Sequence, residues 1–165
     1  MRSKFIGIPV LTVLLVSALN CSSLPYGTLA AQFPQHRAEL QNILTSLQTL
    51  RAGSVVRGFQ LRFLGRITYH TTSQVLSASE VRKQVPQSLH SVLNTLEQSA
   101  RGTVLSGSIR DDGTVILVTY TGGAIGSHAG YLYPLKTDAE CRDLFQWDMK
   151  CVAIPGGDGW MTWQG

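Results

Sequence analysis

The chain has 165 residues, a formal net charge of +4 and 44% hydrophobic side chains. That length sets one domain with enough chain to bury a core, and the ordinary composition excludes a collagen-like or wholly disordered polymer. Between residues 35 and 110 nine basic side chains stand against three acidic ones, and from 111 to 165 three stand against seven. Such halves neutralise one another on folding or orient the domain at a charged surface, and the small total argues against nucleic acid as a partner.

The N-terminus reads as a secretory signal over residues 1–23. Arg2 and Lys4 precede an uncharged apolar run from Phe5 to Leu19, which is shorter than the roughly 20 residues a spanning helix needs. Val16-Ser17-Ala18 and Cys21-Ser22-Ser23 both offer cleavage points. Ala18-Leu19-Asn20-Cys21 loosely resembles the processing site of bacterial lipoproteins, with Leu19 one place late. The resemblance implies a lipidated Cys21 and attachment to a membrane surface. Secretion and anchoring both stay open, and either places the protein outside the cytoplasm, free or at the cell envelope. Residues 24–33 are expected as a tether and 34–165 as the folded domain.

In that domain Pro34 suits a first helical turn, and Leu40, Ile43, Leu44, Leu47 and Leu50 recur at helical spacing up to Gly53. Residues 55–69 alternate as one long strand or a strand pair: Phe59, Leu61, Phe63 and Ile67 on one face, Gln60, Arg62, Arg66, Thr68 and His70 on the other. Ser77 and Glu80 have capping-box spacing, and Leu89, Val92, Leu93 and Leu96 predict a second amphipathic helix stopped at Gly102.

The strongest β signal follows. Asp112-Gly113 is expected to close a two-residue hairpin turn with Asp111 opposite Thr114. Counting outward sets Ile109 against Ile116 and Gly107 against Val118, with Ile116, Val118 and Tyr120 facing the core. A strand from Tyr131 to Leu135 is placed toward an edge because of Pro134. Residues 137–146 read as a polar turn or short helix, 150–154 and 160–164 as strands. Trp160 and Trp163 fall on opposite faces, one expected buried and one at the surface. The fold class is α+β: an antiparallel sheet of about five strands with two amphipathic helices packed on one face.

Four sets of residues carry potential chemistry. Arg57, Arg62, Arg66 and His70 form one candidate set, in which Arg62, Arg66 and His70 share parity and present a cationic stripe to an anionic ligand or a protein partner. The Gly-rich loop from Thr121 to Gly130 carries Ser127 and His128. It lacks the helix that a phosphate-cradling loop needs, so it reads as a mobile connection with His128 as a hydrogen-bond donor to a ligand. Cys141 and Cys151 suit a structural disulfide, which leaves Cys21 as the odd cysteine. His36, His70, His90 and His128 are too scattered for metal-ligand spacing, and no cofactor motif is present. These features predict a small exported, non-catalytic domain that binds a partner or ligand. A hydrolase-like site at Ser127 and His128, and a purely structural lipoprotein, are the alternatives.

Overall fold

The computed structural model describes residues 26–62, 65–122, 127–145 and 149–165. The elements run α1 (Tyr26–Gly53), β1 (Val56–Leu61), β2 (Ile67–Thr71), β3 (Val75–Ser77), α2 (Ala78–Gln84), α3 (His90–Ala100), β4 (Ser106–Ile109), β5 (Val115–Gly122), β6 (Ser127–Tyr133), α4 (Asp138–Phe145), β7 (Lys150–Ala153) and β8 (Met161–Gln164). The eight strands form one sheet in the order β3-β2-β1-β4-β5-β6-β8-β7, with every neighbouring pair antiparallel. The architecture is α+β as expected, but with eight strands where about five were expected. The stretch from 55 to 69 is a hairpin, and β3 is a short addition beside it.

The first helix is longer than its sequence signal. It begins at Tyr26, inside the stretch expected as a tether, and carries Pro34 within it. Leu29 and Phe33 explain this, because both are buried in the main core. The Phe33 ring lies 5.9 Å from Tyr131 and 6.2 Å from Trp160, and the Tyr131 hydroxyl donates to the Leu29 carbonyl at 3.0 Å. Proline costs one backbone bond in a helix interior. Here the packing of Phe33 on Tyr131 and Trp160, just before the proline, holds that turn against the sheet.

α1 and α3 pack on the same face of the sheet, through Leu40, Ile43, Leu47, Leu93 and Leu96. Register defines that face as one row of residues across the sheet: Leu76, Tyr69, Phe59, Gly107, Leu117, Tyr131 and Thr162. All seven are buried. Gly107 is small because the Phe59 and Leu117 side chains meet over it; an added Cβ would stand 2.6 Å from the Phe59 ring. α2 closes the β3 end of this core with Val81, behind a complete Ser77–Glu80 capping box.

The hairpin between β4 and β5 departs from expectation by one residue. Its loop is Asp111-Asp112-Gly113: the Arg110 amide donates to Thr114 O at 2.8 Å, and the Gly113 amide to Arg110 O at 3.0 Å. Gly113 takes φ +86°, and the Asp112 carboxylate accepts from the Thr114 amide at 2.9 Å and hydroxyl at 2.8 Å. One extra loop residue moves Val115 and Leu117 into the main core and turns Ile116 and Val118 to the opposite face. Ile109 and Gly107 lie inward as expected, but their expected partners Ile116 and Val118 face outward. The reason is that the opposite face is not solvent: α4 covers part of it.

Two further expectations are corrected. β6 is interior, paired with β5 and β8, because Pro134 follows the last paired residue and removes no ladder bond. Trp160 and Trp163 are both buried: Trp160 among Phe33, Tyr131 and Tyr133 in the main core, and Trp163 on the opposite face, stacked on Phe145 at 4.8 Å.

Candidate functional site

The face opposite α1 changes chemistry at one line, between β4 and β5. Two neighbouring rows cross it. One reads Val75, His70, Gly58, Ser108, then Ile116, Leu132, Met161, Ala153; the other reads Ser77, Thr68, Gln60, Ser106, then Val118, Gly130, Trp163, Cys151. In both, the residues on β3, β2, β1 and β4 are polar or small apart from edge Val75. Those on β5, β6, β8 and β7 are mainly apolar.

The apolar half is sealed. α4 lays Leu144 and Phe145 over Leu132, Met161 and Trp163, and Cys141 is bonded to Cys151 on β7 with a Cα–Cα distance of 6.3 Å. Closing a loop of this length stabilises by about 2.7 kcal/mol in the chain-entropy account. The Trp163 indole donates to Leu117 O at 3.1 Å and Tyr131 O at 3.2 Å. Gly130 stands beside Trp163 with no room for a side chain, since a Cβ would sit 1.8 Å from Leu117 O. The indole thereby pairs its N–H in a dry setting, as a buried tryptophan needs.

The polar half has no covering element among the described residues. Its floor is low because Gly58, Ser106 and Ser108 are small. Gln60 and His70 rise on one side, Ile116 and Val118 on the other, and Arg57 and Arg110 stand at one end. The result is a trough of about 350 Å³. A bulge in β1 between Val56 and Gly58 brings Arg57 there. Arg57 Nη1 donates to Ser54 O and Val56 O, each at 3.0 Å, while its Nε is buried without a partner among the described residues. His70 Nε2 is buried and unpartnered in the same way. Among the described residues no carboxylate lines the trough.

A larger cleft of about 590 Å³ lies next to it, beside the β4–β5 loop. Arg57, Arg110 and Lys136 face Asp111, Asp112, Glu140 and Asp143 there. Much of that charge is already engaged. Lys136 Nζ is 3.4 Å from Asp112, Arg110 donates to Leu144 O at 3.2 Å, and Glu140 accepts from the Thr137 amide and hydroxyl at 2.8 Å each. Hydrogen bonds from the Thr114 backbone and side chain, with Lys136 adding, lower the Asp112 carboxyl to about 2. Thr137 likewise lowers Glu140. This cleft reads as a self-neutralised seam that ties α4 to the hairpin.

The expected site residues fall in two places. Arg62 and Arg66 close the β1–β2 hairpin, where the Arg62 amide donates to Arg66 O at 2.6 Å; both are exposed. Strand alternation puts them on the trough side with His70, roughly 13 Å along β2 from Arg66. His128 is on β6, four strands from His70 and so about 19 Å away across the sheet. Its backbone pairs with Gly165, its side chain is exposed, and among the described residues the ring has no hydrogen-bond or ion-pair partner. Ser127 pairs through its backbone with Gly122; its side chain, the loop residues 123–126 and Cys21 lie outside the described residues. Among the described residues no group of three or more His, Cys, Asp and Glu could hold a metal ion, and no helix is long and apolar enough to cross a membrane.

Sequence reasoning grouped Arg57 with Arg62, Arg66 and His70 but did not join that set to Ser106, Ser108 and Arg110. The even-numbered serines of β4 already read as exposed. Their meeting with His70 depends on β1 pairing with β4, a contact that no local pattern encodes. No protein-family model, curated protein or solved structure matches the chain.

Proposed function

We propose that this is a small exported binding domain, not a catalyst, and that it engages its ligand or partner through the open half of the sheet, from the trough to the Arg62–Arg66 hairpin tip. The observation that carries the reading is the division of one sheet face. An apolar half is closed by a helix and a disulfide, while a polar half beside it keeps two half-buried side chains, Arg57 and His70, each with a buried nitrogen that has no partner among the described residues. Buried donors without acceptors are costly, and they are common where a ligand completes them.

Export follows from the N-terminal pattern and suits a disulfide, which persists in oxidising compartments. Residues 21–25 span at most about 18 Å when extended. A lipidated Cys21 would therefore hold the domain close to the membrane, with the start of α1 and the adjoining Tyr131 and Trp160 region nearest to it.

The hydrolase-like alternative needs a carboxylate or hydroxyl partner for His128, and the exposed ring on β6 has none among the described residues. The structural-lipoprotein alternative leaves the unused donors of the trough without a role. The test is association with native envelope components, comparing wild type with Arg62→Glu/Arg66→Glu. Loss of a specific partner with unchanged thermal stability is expected. Unchanged association would remove the hairpin tip from the binding surface. Fatty-acid labelling that is lost in Cys21→Ser separates anchoring from release.

A further inference from the structure

Resting on the reading that the open half of the sheet is a binding surface, we propose that its trough is an oxyanion site, taking a phosphate or carboxylate group of a small molecule on Arg57 and His70. Of the three buried side-chain polar atoms without a partner among the described residues, two are Arg57 Nε and His70 Nε2, and both residues line this trough. They come from adjacent strands. Arg57 occupies the β1 bulge, and the flanking Val56 and Gly58 pair with Thr71 and His70 of β2.

The way Arg57 is held sets the chemistry. Its Nη1 is tied to the Ser54 and Val56 carbonyls just beyond α1. That fixes the guanidinium plane and leaves the Nε–Nη2 edge, the edge that grips two oxygens of one anion in parallel. His70 Nε2, in the tautomer that carries its proton there, supplies a third donor from the neighbouring strand. The Ser106 and Ser108 hydroxyls, which make no hydrogen bond among the described residues, lie on the floor.

Charge separates this site from the cleft beside it. Arg57 and Arg110 line both, but to them the trough adds His70 and no carboxylate of the described residues, whereas the larger cleft adds four carboxylates that would repel an anion. Its volume lies at the small end of the range for small-molecule sites, which favours a compact ligand over a polymer. The Ile116 and Val118 side chains form an apolar wall for the remainder of such a molecule.

The folded exported chain, labelled with ¹⁵N at arginine and histidine, is titrated with inorganic phosphate and separately with acetate, at ionic strength held constant with chloride. The Arg57 Nε–H and His70 ring signals should move together and saturate, and the tighter of the two anions names the group. Arg57→Lys keeps the charge but loses the fork, and should weaken binding by about tenfold or more. Arg142→Lys, on exposed α4, should leave it unchanged. Absence of a saturable shift with either anion, or an equal response in Arg57→Lys, would overturn the site. So would association with anionic vesicles alone, without response to the soluble anions. Partner loss on Arg62/Arg66 reversal does not depend on this titration, so the two readings fail separately.

Discussion

The two halves of the outer sheet face are built from the same strands' worth of hydrogen bonds, yet they solve opposite problems. On β5, β6 and β8 the outward residues Ile116, Leu132, Met161 and Trp163 need cover, and α4 provides it under the Cys141–Cys151 link. On β2, β1 and β4 the outward residues His70, Gly58, Gln60, Ser106 and Ser108 tolerate water, and no described element covers them. The lesson is that burial on one half fixes shape, while the donors left over on the other half are what motivate the proposed binding surface.

The largest effects should come from the sealed half. Trp163→Ala removes the ring stacked on Phe145 and both indole hydrogen bonds, and should cost about 3–5 kcal/mol in urea unfolding. A loss below about 1 kcal/mol would mean that α4 seals nothing. Replacing Cys141 and Cys151 together by serine should cost about 3 kcal/mol. It should raise hydrogen exchange in α4, β7 and β8 while leaving β1 and β2 protected; uniform loosening would show that the halves are not independent.

A smaller effect is expected behind the polar half. The Tyr69 hydroxyl donates to Glu97 at 2.7 Å, and Glu97 pairs with Arg82 at 2.9 Å. Burial first, then the Glu97 contact, pushes the Tyr69 phenol well above its usual range, so it stays a donor at any ordinary pH. Tyr69→Phe should cost about 1–2 kcal/mol in the same urea assay, with the sheet intact.

The pH dependence should be modest and acidic. The folded carboxyls of Asp112, Glu80 and Glu140 are all lowered by hydrogen bonds from nearby Thr or Ser groups. Lowered carboxyls add stability above their unfolded values near 4 and lose it as pH falls through the folded ones. The thermal midpoint should therefore drop between about pH 4 and pH 2, and Asp112→Asn should flatten that drop. Exposure of these groups keeps each contribution small.

Local pattern carried much of the fold. The Ser77–Glu80 cap, the stop at Gly102, the facing of Phe59 against Gln60 and the cysteine pair were legible because each depends on neighbours within a few residues. The register of β4–β5 was not, since Ile116 and Val118 looked too apolar to face outward until α4 was known to lie over that side. The start of α1 was hidden because Leu29 and Phe33 find their partners on β6 and just before β8. The candidate site was half legible: His70, Arg62 and Arg66 follow from parity, but Arg57, grouped with them, is off parity in a regular strand and reaches the same side only through the bulge.

The most direct test fills the trough. Ser108 is exposed on its floor, so Ser108→Trp should change stability by less than about 1 kcal/mol. Association with the native envelope partner or anionic ligand should nevertheless be abolished. A folded Ser108→Trp protein that binds as wild type does would contradict the assignment of the open half as the binding surface.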